Sequence, residues 1–141
     1  MTTLTQSIFC FPVRVYYEDT DAGGVVYHAR YLHFFERART EYLRTLSFSQ
    51  QAILNQEQIA FVVRNMTIDF RLAAKLDDLL TVETQIGALK GATIIFEQTL
   101  KKEEVILCKA TVKVASVDLG KMKPVAIPEG IKTALLTHKF E

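Results

Sequence analysis

Hydrophobic and polar positions change period several times along the chain, and each change predicts an element. From Ile8 to Asp19, Phe11, Val13, Val15 and Tyr17 recur at every second position with Arg14 and Tyr16 between them, the alternation of a half-buried strand. Asp19-Thr20-Asp21-Ala22-Gly23-Gly24 interrupts it. From about Tyr27 the spacing becomes helical. Tyr31, Phe35, Ala38, Tyr42 and Leu46 form one stripe, which Leu32, Phe34 and Leu43 widen, while Arg30, Arg37, Arg39, Glu41 and Arg44 fall mostly off it. The pattern predicts a central helix about 30 Å long whose broad apolar face needs a large surface to cover it.

Ser47 and Gln50 have capping-box spacing and predict a short second helix through about Gln56. Four strand patterns follow: Ala60 to Leu72, Leu79 to Leu89, Ala92 to Lys101 and Val105 to Val117. In the first, Val62, Met66, Ile68, Phe70 and Leu72 share a face; in the second, Leu80, Val82, Ile86 and Ala88 do; Ile94, Phe96 and Leu100 mark the third. Ile106, Cys108, Ala110, Val112 and Val114 mark the fourth. Lys90-Gly91 is a tight hairpin signal, and short turns between long strands predict an antiparallel meander. Glu129 to Lys139 predicts a closing helix, frayed and weakly held. One strand, a long apolar helix and then a run of strands is an α+β order; a curved sheet wrapped round the helix is one of its solutions, not the only one.

The 141 residues fit one domain spanning residues 1–141. Hydrophobic residues make up 49% and charged residues 23%, an ordinary globular composition. Lys plus Arg number 17 against 16 acidic residues, so there is no basic field to hold nucleic acid. Cys10 and Cys108 sit in apolar runs and predict buried free thiols in a reducing compartment. The first residues lack a basic leader pattern and no stretch reaches the roughly 18 apolar residues of a spanning helix. A cytoplasmic location is expected, with peripheral contact at the inner membrane left open.

The unusual chemistry is concentrated between Tyr16 and Arg39. A strand end delivers Asp21, two glycines let the backbone turn, and a helix begins beside His28. Such a junction aims free N–H groups and the positive end of a helix dipole at one small volume, where a developing oxyanion would be stabilised. Cleaving an acyl thioester requires a nucleophile or general base on one side of the carbonyl and hydrogen-bond donors on the other. Asp21 and the helix start could supply both, whether Asp21 attacks or activates water. Against this, an aspartate ahead of a helix ordinarily caps it or closes a turn, a lone His28 is ordinarily structural, and Tyr17 is ordinarily a packed strand aromatic. The calcium-loop reading of Asp19-x-Asp21 fails because the twelfth position is Arg30 instead of a bidentate Glu. His28 and His33 are five apart and cannot form the i, i+4 zinc pair, so no metal site is expected. No nucleophile elbow, P-loop or dinucleotide glycine motif occurs.

Tyr17-Glu18-Asp19-Thr20-Asp21-Ala22-Gly23-Gly24-Val25-Val26-Tyr27-His28 resembles the signature of the 4-hydroxybenzoyl-CoA thioesterase-like hotdog family. The run from Val13 to Arg44 is similar to its Tol-Pal system-associated acyl-CoA thioesterase branch. The similarity continues through Phe61-Val62-Val63-Arg64-Asn65-Met66-Thr67, Leu76-Asp77-Asp78 and Lys121-Met122-Lys123-Pro124. The resemblance implies a hotdog fold, an antiparallel sheet wrapped around one long helix. It also implies dimers or tetramers built from dimers, with active sites between subunits. It assigns the catalytic carboxylate to Asp21, the backbone N–H that polarises the carbonyl to His28, and an orienting hydrogen bond to Tyr17. The implied activity is hydrolysis of short- to medium-chain acyl-CoA, or of acyl-carrier-protein thioesters. Coenzyme A is then part of the substrate and no separate cofactor is expected. Its phosphates need cations, for which Lys90, Lys121 and Lys123 are candidates. Two rivals predict different behaviour: a hotdog hydratase or dehydratase would leave the thioester intact, and a non-catalytic acyl-carrier-protein-binding adaptor would bind its partner tightly, with turnover indifferent to Asp21→Asn.

Overall fold

The structure is a computed structural model and describes residues 7–48, 58–138 and 140. Strand β1, Phe9–Arg14, leads through a 3-10 turn at Tyr17–Asp19 into helix α1, His28–Thr45. Then come β2 (Ile59–Phe70), β3 (Leu79–Lys90), β4 (Thr93–Lys102), β5 (Val105–Asp118), the two-residue β6 (Lys123–Pro124) and helix α2 (Glu129–Thr137). The strands form one antiparallel sheet in the order β1-β3-β4-β5-β2, with β6 on β5. This is the α+β hotdog arrangement expected above.

Helix α1 lies against the sheet because its apolar positions span one broad arc. Tyr31, Phe34, Phe35, Ala38, Tyr42 and Leu43 are buried and join one core with Leu80, Val82, Ile94, Phe96, Leu100 and Val112. Leu32, expected on that face, is exposed. Arg39, expected off it, is buried. The angles explain this: at 100° per residue, position 39 lies about 40° from both 35 and 43, inside the buried arc.

Strand boundaries agree with the alternation to within two residues, except at the first strand. That strand stops at Arg14, and Tyr17 belongs to the 3-10 turn, exposed instead of packed as a strand aromatic. On two strands the inward face differs from the one the alternation predicts, and bulges are the cause. The β2–β5 register slips between Val63 and Asn65. The inward set is therefore Ile59 and Phe61 before the slip, with half-exposed Val63 paired to core Val114 at the edge, then Met66 and Ile68 after it, and Val62 points out. A second slip at Gly87 hands the inward role from Ile86 to Leu89, in place of Ala88.

The predicted helix from Ser47 to Gln56 lies mostly outside the described residues. Ser47 itself has a φ of 71° in the turn that ends α1, which is not N-cap geometry. Helix α2 is firmer than its sequence suggested, since Ile131 and Leu135 are fully buried in the core. Among the described residues, no helix is long and apolar enough to cross a membrane.

Candidate active site

The two aspartates of the 19–24 segment are turned to opposite tasks. Asp19 is 5% exposed; its Oδ2 accepts the Tyr16 N–H at 2.9 Å, and the Arg30 guanidinium lies 3.9 Å from Oδ1. Its carboxylate is consumed in holding the strand-to-helix junction. Asp21 is exposed. Its Oδ1 accepts the Gly23 N–H at 2.8 Å, an Asx turn, while Oδ2 has no hydrogen-bond partner among the described residues. The expected cap-or-turn role is thus half fulfilled, and one oxygen remains for chemistry.

The backbone around Asp21 is tightly specified. Asp21 N–H donates to Val25 O, and Gly24 N–H donates to Asp21 O across a turn in which Gly24 takes φ +81°, a conformation that requires glycine. Tyr27 N–H donates to Asp19 O, so both arms of the loop are tied. The 74–78 segment clamps it from outside: Val26 N–H donates to Ala74 O, Leu76 N–H to Gly24 O, and Val25 is bridged to Lys75. Ala74 N–H in turn donates to the hydroxyl of buried Tyr31 on α1. Turn, clamp and helix are therefore tied together by hydrogen bonds.

His28 is the first residue of α1. The helix start has no side-chain cap and no acidic residue in its first turn; Arg30 N–H donates to Tyr27 O, while the His28 and Ala29 N–H groups have no hydrogen-bond partner among the described residues and stand at the positive end of the dipole. The His28 ring is exposed and stacks on Tyr27 at 4.5 Å between centroids. The main-chain donors are in place without the ring. Tyr17 is 82% exposed, and its hydroxyl makes no hydrogen bond among the described residues, so no contact within this chain ties it to Asp21.

Lys90, Lys121 and Lys123 do not join this group within one chain. Val15, just before the Asp21 turn, pairs with Asp78 immediately before β3 begins. Lys90 ends β3 eleven residues later, roughly 35 Å along the strand. Lys123 pairs with Asp118 at that same far end, and Lys121 sits in the turn between them. Lys75, exposed and bridged to Val25, is the cation that the fold puts beside the turn. Nothing local to either segment marks it, because the link crosses fifty residues.

The cysteines are unsuited to nucleophilic work. Burial, aided by Asp69, pushes the Cys108 thiol up to about 12. Cys10 is exposed, not buried as expected, and its thiol is raised by partial desolvation and by Glu83. Among the described residues no cluster of His, Cys, Asp or Glu could hold a metal ion. A cleft of about 420 Å³ is lined by polar side chains, Glu83, Gln85, Glu97, Thr99 and Thr111 among them, together with Ile8 and Ala110.

Known proteins of the same kind surround this chain. A model of the Thioesterase superfamily matches residues 23–109, a stretch that begins two positions after Asp21. Over 126 residues the chain is 71% identical to the acyl-CoA thioesterase YbgC of Haemophilus influenzae, covering 89% of this chain and 93% of that protein. It is 51% identical over 129 residues to the acyl-CoA thioester hydrolase YbgC of Escherichia coli, covering 91% and 96%. The crystal structure of a probable thioesterase from Bartonella henselae, 42% identical, superposes with a TM-score of 0.83 over 86% of this chain and 100% of that one.

Proposed function

The chain belongs to the thioesterase superfamily, and on that premise we propose that it hydrolyses acyl-CoA thioesters at Asp21, with the start of α1 holding the carbonyl oxygen. The observation that carries this is the exposed Asp21 carboxylate, with one oxygen fixed by Gly23 and the other free, in the tied turn that leads into an uncapped helix N-terminus. The thioester oxygen takes hydrogen bonds from the helix-start amides, His28 first among them. The free oxygen of Asp21 attacks the acyl carbon or deprotonates the water that does. The C–S bond then breaks, and coenzyme A leaves as a thiolate that takes up a proton.

Purified Asp21→Asn should keep its fold by circular dichroism and lose about 10²- to 10⁴-fold in kcat, read as free thiol release from acyl-CoA. Turnover unchanged in that variant rejects the assignment and favours an adaptor. Loss of acyl-CoA without thiol release identifies hydration instead of hydrolysis.

The working unit in this reading is a dimer. β2 is a twelve-residue edge strand with one side unpaired among the described residues and with Val62, Val63 and Phe70 exposed. Pairing two such edges about a two-fold axis runs them antiparallel, which sets one copy's Lys90, Lys121 and Lys123 end beside the other copy's Asp21 end. Those lysines then serve the coenzyme A phosphates across the interface; Lys90→Ala should raise KM most at low salt, and an unchanged KM removes it. Short- to medium-chain acyl groups, carried by coenzyme A or acyl-carrier protein, are the proposed substrates. The Tol-Pal setting and a cytoplasmic site of action with peripheral inner-membrane contact rest on the resemblance over Val13 to Arg44.

A further inference from the structure

Arg39 is the one charge among the buried side chains of α1. It is 7% exposed and projects under the helix toward the sheet. Its Nη1 donates to Gln98 Oε1 at 3.0 Å. Gln98 is held in turn by its Nε2, which donates to Phe35 O and to Thr84 Oγ1, each at 3.0 Å, and both Gln98 and Thr84 are buried. Through this chain of bonds the guanidinium is fixed in orientation.

Its charge has no partner at contact distance. Among the described residues no carboxylate lies within 4 Å of it, and Gln98 is its sole hydrogen-bond acceptor. Ser116 Oγ is the single side-chain atom found both enclosed and unbonded among those residues, so the remaining guanidinium nitrogens reach open space. That space is a cavity of about 230 Å³ between α1 and the sheet, walled by Leu43, Phe61, Ile94, Phe96 and Val114. An apolar cavity of about 150 Å³ already accommodates a benzene ring. Two of its lining residues are exposed, Val63 on the β2 edge and Glu36, one helical turn before Arg39. Burial lowers the Arg39 guanidinium from its usual value, and Glu36 partly offsets this.

A buried cation with unused donors, set in an apolar wall, is costly unless an anion joins it. A guanidinium offers paired donors matched to a carboxylate. We propose that this cavity receives the distal part of the acyl chain and that Arg39 binds a carboxylate at the chain's far end, making monothioesters of dicarboxylic acids the preferred substrates. The inference deepens the acyl-CoA reading and rests on it. Arg39 lies eleven residues, about 16 Å, along α1 from His28, so its own helix start is remote. In the β2-paired dimer, the thioester sits at one copy's Asp21 and the tail enters the other copy's cavity through the shared edge.

The test compares succinyl-, glutaryl-, adipyl- and suberyl-CoA with butyryl-, valeryl-, hexanoyl- and octanoyl-CoA on the wild-type enzyme. The proposal expects at least one carboxylate-ended chain to exceed its methyl-ended counterpart in kcat/KM. Arg39→Met should then lower kcat/KM for that chain by about 100-fold and for the methyl-ended one by no more than about threefold. Glu36→Gln should raise the preference, because it removes a like charge from the rim. If wild type prefers methyl-ended chains at every length, Arg39 is already satisfied by water or by a carboxylate of the second copy, and the proposal falls while the thioesterase reading stands. Equal losses on both series in Arg39→Met make the residue structural and also overturn it. If no chain of either series is cleaved, the acyl-CoA reading fails as well.

Discussion

Gly23 and Gly24 are adjacent, yet substitution at each should fail differently. Gly24 has φ +81° and nothing within 4 Å of where a Cβ would stand, so Gly24→Ala meets conformational strain alone. It should cost about 1–2 kcal/mol, read as a lower denaturant midpoint with an unchanged slope. A Cβ at Gly23 would stand 3.3 Å from Asp21 Oδ1, tight enough to shift the carboxylate. Gly23→Ala should therefore leave stability almost unchanged and lower kcat at least tenfold, about 1.4 kcal/mol in activation free energy. Equal kcat in wild type and Gly23→Ala would show that the Asx turn does not position the reacting oxygen. The contrast between the two aspartates follows the same local logic: Asp19 faces the Tyr16 amide and Arg30, Asp21 faces solvent, and a separation of two residues at the end of a 3-10 turn is enough to divide them.

At the scale of elements, α1 holds both ends of the proposed chemistry. Its first turn supplies the donors, and its fourth carries Arg39 over the cavity. The helix stays in register because Phe34 and Phe35 are wholly enclosed and Tyr42 is braced edge-on by Phe9 and Phe96. Phe34→Ala should destabilise the fold by about 3–5 kcal/mol through lost burial and the cavity left behind, measured by chemical denaturation. A loss below about 1 kcal/mol would mean that the sheet collapses easily onto the helix, contrary to a core in which Phe34 has no exposed surface. Helix α2 shows why a closing segment that looked frayed in sequence is held: two side chains one turn apart, Ile131 and Leu135, go fully into the core, and burial outweighs weak propensity.

For the whole molecule, the unpaired edge of β2 is the feature with the largest consequence. Val62, 46% exposed on that edge, points away from α1 because of the bulge beyond Val63. Lysines on edge strands discourage strand pairing. Val62→Lys should therefore move the protein from dimer toward monomer in sedimentation velocity and lower kcat/KM in step with the monomer fraction, with full rescue at high protein concentration. A monomeric wild type that hydrolyses acyl-CoA would remove the shared site, and with it any route from one copy's Asp21 to the other's Arg39.

Much was legible in one dimension because it depends on local periodicity. The strand alternation, the helical stripe and the polar interruption at 19–24 each report which positions face a core, and together they limit the fold to a helix covered by a sheet. The motif residues Asp21 and His28 stood out for the same reason, being contiguous with a turn and a helix start. Tertiary structure decided what no window could contain. Bulges at Val63/Asn65 and Gly87 reverse alternation by inserting single residues. Sheet order separates Lys90 from Asp21 and brings Lys75 to the turn. Arg39 reads as a surface charge until Gln98, fifty-nine positions away, closes over it. Faces are set by neighbours in sequence, but partners are set by which strands lie side by side.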